Sequence, residues 1–278
     1  MTLDTISTGL FFIATALYTA STVGYALYLF MQKDKMQHVA FSLISVGFII
    51  HAMATLMMTL RMGTLPIHNL KETLSIASLA LSGMFLLLKT RFNLKILGIF
   101  AAPLVTLMMM AMVALPKVPE AGVSFLKGFW LVSHIVLIFS GEAALALACG
   151  AGILYILQEN AIKAKKRGFF FKRLPSLDLL DSTSYTCVVT GFAMLTAGLI
   201  TGLVYAKAIW GSFWNWDPKE IWSAVTWLVY AALLHGRLTS GWQGRRSAIM
   251  TIIGFAVLVF TFLGVNFLIG GHHRVFTM

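Results

Sequence analysis

Runs of about twenty apolar residues recur along the whole chain, separated by short segments that hold most of the charge. A run of that length can cross the hydrocarbon core of a bilayer as an α-helix, the conformation that pairs every backbone N–H and C=O within the segment. The pattern predicts eight spans, at roughly 6–31, 38–61, 71–89, 94–115, 129–158, 182–208, 218–236 and 248–270. The expected fold class is an all-α polytopic membrane protein, built as a single integral-membrane domain over residues 1–278.

Composition supports that pattern. Of the 278 residues, 59% are hydrophobic and only 11% charged, with a mean hydropathy of +0.85. A soluble domain carries about 25% charged residues, and no long polar segment is left here to form one. The first apolar run has no basic residues before it and no small-residue cleavage site, so it is expected to be a retained span. Cys149 and Cys187 lie singly within apolar runs. Without a Cys-x-x-Cys, neither a thiol redox motif nor a covalent c-type haem site is expected on this chain. Both cysteines are expected to serve helix packing.

The formal net charge of +11 does not indicate a nucleic-acid partner, because the basic residues cluster in short loops. Strict alternation of the spans divides the 21 Lys and Arg residues into 14 on one side and 7 on the other. The first set includes Lys33, Lys89, Lys163, Lys172, Arg237 and Arg245; the second includes Arg61, Lys71, Lys207, Lys219 and Arg274. The positive-inside rule makes the first set cytoplasmic. Both termini are then expected outside, with the chain in a cytoplasmic (inner) membrane and its active face toward the periplasm. The longest connection, 159–181, is expected at the cytoplasmic interface, where Phe169 to Phe171 between cations suit the headgroup region.

One outward loop stands apart from an ordinary interfacial tryptophan belt. Residues 210–222 read W-G-S-F-W-N-W-D-P-K-E-I-W, with Trp210, Trp214, Trp216 and Trp222 in thirteen residues. With Ile209 before it, this 209–222 segment is the candidate binding element, a flat aromatic shelf for a flat, partly polar ligand. Asp217 before Pro218 is expected at the N-cap of the seventh span, with Glu220 at the third helical position. Both acids are then scaffolding and would repel an acidic ligand. Arg61, Lys207, Lys219 or Arg274 suit that contact better.

Histidine is costly within a membrane and is a functional candidate there. His134 falls at the outer end of the fifth span, and His272 and His273 follow the eighth. Two outward imidazoles flanking an aromatic shelf match what a six-coordinate haem requires. His235 ends the seventh span near the cytoplasmic surface. His51, deep in the second span, needs a hydrogen-bond partner or a ligand. His38 and His68 read most simply as solvated.

These motifs resemble a known family. W-G-x-x-W-x-W-D-x-x-E at Trp210–Glu220, followed by W-L-x-Y at Trp227–Tyr230 and by His235, resembles the "WWD" signature of the haem-handling proteins of cytochrome c biogenesis. Within that group the chain is similar to the CcsA (ResC) type of System II. Pro66-x-x-Asn69-Leu70-x-Glu72 resembles that family's P-x-x-N-x-Y-E segment, and G-V-N-F-L with Gly271-His272-His273 resembles its G-V-N-L-L…G-L-H terminus. Lys71 stands where the family often has Tyr, and Arg274 where Ser is usual.

The resemblance implies His134 and His273 as axial ligands of an outward haem, with His272 adjacent. It implies His235 as a ligand of an inner haem, and Trp210, Trp214, Trp216, Asp217 and Trp222 as the platform. The implied function is delivery, presentation and ligation of haem b within a holocytochrome c synthase. The implied partners are a CcsB (ResB)-like membrane subunit, an apocytochrome c presenting Cys-x-x-Cys-His, and a thioredoxin-like thiol reductant. Haem export without ligation, a b-type haem electron-transfer subunit, and a purely structural scaffold are the competing readings.

Overall fold

The structure is a computed structural model that describes residues 3–92, 95–116, 128–165 and 168–264. Every regular element among the described residues is helical, and they form two compact units that divide between Gly128 and Phe129. His272 and His273 lie outside the described residues.

The first unit contains α1 (Leu3–Met31), α2 (Asp34–Met62), α3 (Leu70–Phe92) and α4 (Gly98–Ala114). α1 packs along α2 and α4, and α3 packs along α4. Gly63 ends α2 with φ 70°, and its N–H bonds to the Thr59 carbonyl. That is the left-handed cap that glycine adopts without a Cβ penalty. Asn69 then begins α3, its Oδ1 accepting the Glu72 N–H at 3.0 Å.

The second unit contains α5 (Phe129–Lys163), the single turn α6 (Phe169–Arg173), α7 (Leu177–Trp210), α8 (Pro218–Thr239) and α9 (Arg245–Val259). α9 continues as a π-helical turn through Phe260–Gly264. α5 and α7 form the most extensive helix pair, and α9 packs on α5 and α8. Glycine permits the close approach of α5 and α7. A Cβ on Gly141 would stand 2.9 Å from the Leu195 nitrogen, and one on Gly191 would stand 2.9 Å from the Gly141 carbonyl oxygen. Small residues at such crossings let backbones touch where lipid offers no hydrophobic drive to associate. Cys149 and Cys187 are both buried free thiols in this unit.

Among the described residues six helices are long and apolar enough to cross a membrane, so the chain is a polytopic, helical membrane protein. Two of the eight expected spans are not among those six. The fourth coincides with α4, an apolar helix of 17 residues. The seventh coincides with α8, which Lys219, Glu220, His235 and Arg237 make more polar than its neighbours. The connection expected over 159–181 is also shorter than the pattern suggested. α5 runs on to Lys163, α6 forms, and α7 begins at Leu177.

Candidate functional site

The tryptophan-rich loop is fixed at both ends by its own sequence. α7 stops at Gly211 (φ 73°), whose N–H bonds to the Lys207 carbonyl, while Lys207 Nζ donates to the Gly211 carbonyl at 2.7 Å. α8 starts at Pro218 with Asp217 as its N-cap, and Asp217 and Glu220 form a reciprocal capping box. Asp217 Oδ1 accepts the Lys219 N–H at 2.8 Å. Glu220 Oε2 accepts the Asn215 N–H at 2.8 Å and the Asp217 N–H at 3.3 Å. The two acids therefore hold the loop onto the helix N-terminus, satisfying donors that would otherwise lack partners.

The rings do not form the flat shelf that their density suggested. Trp214 and Trp216 meet edge to face, 5.9 Å apart at 89°. Trp210 stands edge-on to Tyr205, and Trp222 packs 4.5 Å from Phe260. Edge-to-face rings satisfy the aromatic quadrupole better than a face-to-face sandwich. Trp216 is 75% exposed and holds φ +58°, a conformation that costs a bulky L-residue about 1–2 kcal/mol. The capping box just after it supplies the bonds that hold the chain there.

His134 sits on α5 in a notch of α7. Its Nδ1 donates to the Gly198 carbonyl at 2.7 Å, since a carbonyl oxygen can only accept. The bond commits the neutral ring to the Nδ1–H tautomer and leaves the Nε2 lone pair unused by it. Gly202, one turn further along α7, makes room for the ring. A Cβ there would lie 2.6 Å from Nδ1.

Lys219, in the first turn of α8, lies within electrostatic reach of His134, Asp217 and Glu142. Glu142 is a half-buried carboxylate two turns along α5 from His134. A lone acid in the S-G-E-A-A-L stretch of an apolar run is the one sequence signal that marks it.

The remaining histidines separate by environment. His235, toward the end of α8, is exposed, and its neighbour Arg237 is not a loose interfacial cation. Arg237 forms a two-pronged ion pair with Asp181, at 2.6 and 3.0 Å, and also donates to Ser247. His51 is fully buried and satisfied, with Nδ1 3.3 Å from the Tyr18 hydroxyl and Nε2 2.9 Å from Ser75 Oγ. His38 is exposed, as expected. His68 is not simply solvated. Its Nδ1 lies 3.0 Å from Glu72 Oε2, and both side chains are 9% exposed. Glu72 at i+4 on the same short turn accounts for the difference.

Long apolar helices, a tryptophan-rich loop locked to a helix N-terminus, and an oriented imidazole on a neighbouring helix define a polytopic membrane protein with a preorganised loop site. The chain belongs to the cytochrome c assembly protein family, which it matches over residues 67–273, and is of the CcsA type. It is 37% identical over 218 residues to the cytochrome c biogenesis protein CcsA of Chlamydomonas reinhardtii, covering 76% of this chain and 61% of that protein. It is 36% identical to the CcsA of Prochlorococcus marinus (strain MIT 9312) over 76% of each chain. The fold is similar to that of the cytochrome c haem lyase CcmF, with a TM-score of 0.69 and 18% identity over 95% of this chain and 47% of that one. The chain thus spans about three fifths of the length of the algal relative and under half that of the solved structure. Its place is in cytochrome c biogenesis.

Proposed function

We propose that this chain moves haem b across the membrane and presents it at the tryptophan-rich loop for thioether attachment to an apocytochrome. The observation that carries the reading is the His134–Gly198 hydrogen bond. A backbone carbonyl on the far ring nitrogen is the usual support of a metal-ligating histidine, because it fixes both the tautomer and the ring orientation. Nε2 of His134 would be one donor to the iron and His273 the other, with His272 next to it in the sequence. Haem bound there supplies an iron that takes two imidazoles and vinyl groups to which thiols add.

The chain's own residues do the positioning. Trp210, Trp214, Trp216 and Trp222 give the macrocycle apolar edges and faces, and Asp217 acts by capping α8 rather than by touching the ligand. Lys219, in the first turn of α8, would be the cation to meet a propionate. His235, exposed on α8, is available to a neighbouring subunit as a ligand of haem at the inner site. A CcsB (ResB)-like subunit is the partner that supplies it. The apocytochrome brings Cys-x-x-Cys-His, and a thioredoxin-like reductant keeps those thiols reduced. The active face is periplasmic in an inner membrane spanned by eight helices.

The test uses the chain purified with its partner. Visible spectra and cytochrome c maturation are recorded for the native pair and for His134→Ala and His273→Ala. Each variant is expected to lose the six-coordinate low-spin spectrum and most maturation, and exogenous imidazole is expected to restore the spectrum. Full bis-imidazole haem in both variants would show the axial assignment to be wrong.

A further inference from the structure

The last turns of α8 are held from two directions, and His235 points in a third. Arg237 meets α7. Its guanidinium pairs with both oxygens of Asp181, at 2.6 and 3.0 Å, and lies 4.4 Å from the centre of the Tyr185 ring, one turn further along α7. Both charged side chains are largely buried, Arg237 at 11% exposure and Asp181 at 15%. Asp181 reaches α9 as well, since Oδ1 accepts the Gly244 N–H at 3.0 Å. Gly244 is the N-cap of α9. Asp181 therefore does for α9 from across the bundle what Glu220 does for α8 from its own first turn. One carboxylate ties the ends of two helices to a third.

The second hold is at Gly236. Its carbonyl accepts the N–H of Ser240 at 3.0 Å and that of Trp242 at 3.2 Å. A Cβ on Gly236 would stand 2.6 Å from Trp242 Cε3, so the indole is seated on the helix where a side chain is missing. Successive residues of an α-helix point about 100° apart. Contacts at residues 236 and 237 therefore fix both the rotation and the height of this part of α8. His235 comes just before them. It is exposed, and its ring makes no hydrogen bond among the described residues.

A buried ion pair is a weak device for stability, because desolvation of the two charges offsets their attraction and apolar residues often hold a helix as well. What the pair does supply is direction. A guanidinium fork meets a carboxylate in one planar geometry, which a lysine or an apolar contact does not impose. That direction is applied to the turn that carries an exposed, uncommitted imidazole.

We propose that Asp181 and Arg237 are positioning residues for His235, aiming its ring together with the seat of Trp242 on Gly236. It rests on the reading of His235 as a donor to haem iron at the inner site, and adds what sets the direction of that ring. Neither Asp181 nor Arg237 touches the ligand.

The experiment uses the whole chain purified with its partner, in a His134→Ala background, so that the spectrum reports the His235 site. Haem titrations followed in the Soret band compare that background with the same protein carrying His235→Ala, Asp181→Asn/Arg237→Leu or Gly236→Ala. The Asn keeps an acceptor for the Gly244 N–H, and the Leu leaves no buried cation unpaired. Gly236→Ala keeps both charges and disturbs the Trp242 seat, and it decides the question if the double variant folds poorly. Each change is expected to weaken haem binding about tenfold or more with helix content unchanged. Free imidazole is expected to restore the low-spin spectrum in each, since a mobile ligand needs no positioning. Native affinity in a folded positioning variant, beside a loss in His235→Ala, overturns the proposal and leaves the reading of His235 in place. A loss that imidazole does not restore overturns it too, because the pocket and not the direction of the ring has then failed. Native affinity in His235→Ala overturns the reading and this proposal with it.

Discussion

The imidazole of His134 and the carbonyl of Gly198 are joined by a 2.7 Å hydrogen bond between α5 and α7, and Gly202 leaves the ring just enough room to make it. Orientation of the imidazole thus depends on a missing side chain one turn away. Gly202→Ala places a methyl 2.6 Å from Nδ1 and must push the ring aside. Losing such support typically lowers metal affinity by about 10–100-fold. A haem titration of the purified pair, followed in the Soret band, is expected to show a loss of that size with helix content unchanged. Native affinity in Gly202→Ala would mean that the ring orientation seen here is not the one used for binding.

The two acids of the tryptophan-rich loop can be separated from ligand chemistry by charge. Asp217→Ala removes the N-cap, which typically costs about 1 kcal/mol, and frees the loop to move. Asp217→Asn keeps a capping oxygen and removes the charge. Cytochrome maturation is therefore expected to fall in Asp217→Ala and to stay near native in Asp217→Asn. If both fall equally, the carboxylate charge itself takes part.

His51 is expected to be structural. Its two ring nitrogens are bonded to Tyr18 and Ser75 inside the first unit. Replacing it with Phe takes the imidazole partner from the buried Ser75 hydroxyl, at about 1–3 kcal/mol for a group left unsatisfied, while the Tyr18 hydroxyl keeps Ser82 at 3.2 Å. Resistance to unfolding in mixed micelles should drop, while the haem spectrum per folded molecule stays native. A spectrum that changes coordination in His51→Phe would make His51 an iron ligand instead.

What the sequence made legible follows from the range of each interaction. The long spans are periodicities within one segment. The capping of α8 is a pattern of four residues, D-P-K-E, and the structure forms it as written. The ion pair of Arg237 joins residues 56 apart, and the Gly198 partner of His134 is a backbone carbonyl 64 residues away. No residue type announces such a carbonyl. The edge-to-face arrangement of Trp214 and Trp216 was equally hidden, because composition counts rings and says nothing of their planes. His68 is different: its partner Glu72 stands at i+4, within reach of a local pattern.

Trp216 offers the clearest separation of stability from function. Its φ of +58° is a conformation that glycine adopts without penalty, so Trp216→Gly relieves about 1–2 kcal/mol of backbone strain. Against that stands the contact with Trp214, worth about 0.5–1.5 kcal/mol for an aromatic pair, and the extra freedom of a glycine in the unfolded chain. The opposing effects nearly cancel, and the thermal midpoint is expected to change little. A ring that is 75% exposed in a strained conformation contributes little to the fold, so its use lies in what it meets outside. Trp216→Gly should therefore mature cytochrome c several-fold more slowly than the native pair, and Trp216→Phe should recover part of the loss. Native maturation in a stable Trp216→Gly variant would remove this ring from the platform and leave Trp210, Trp214 and Trp222 to form it.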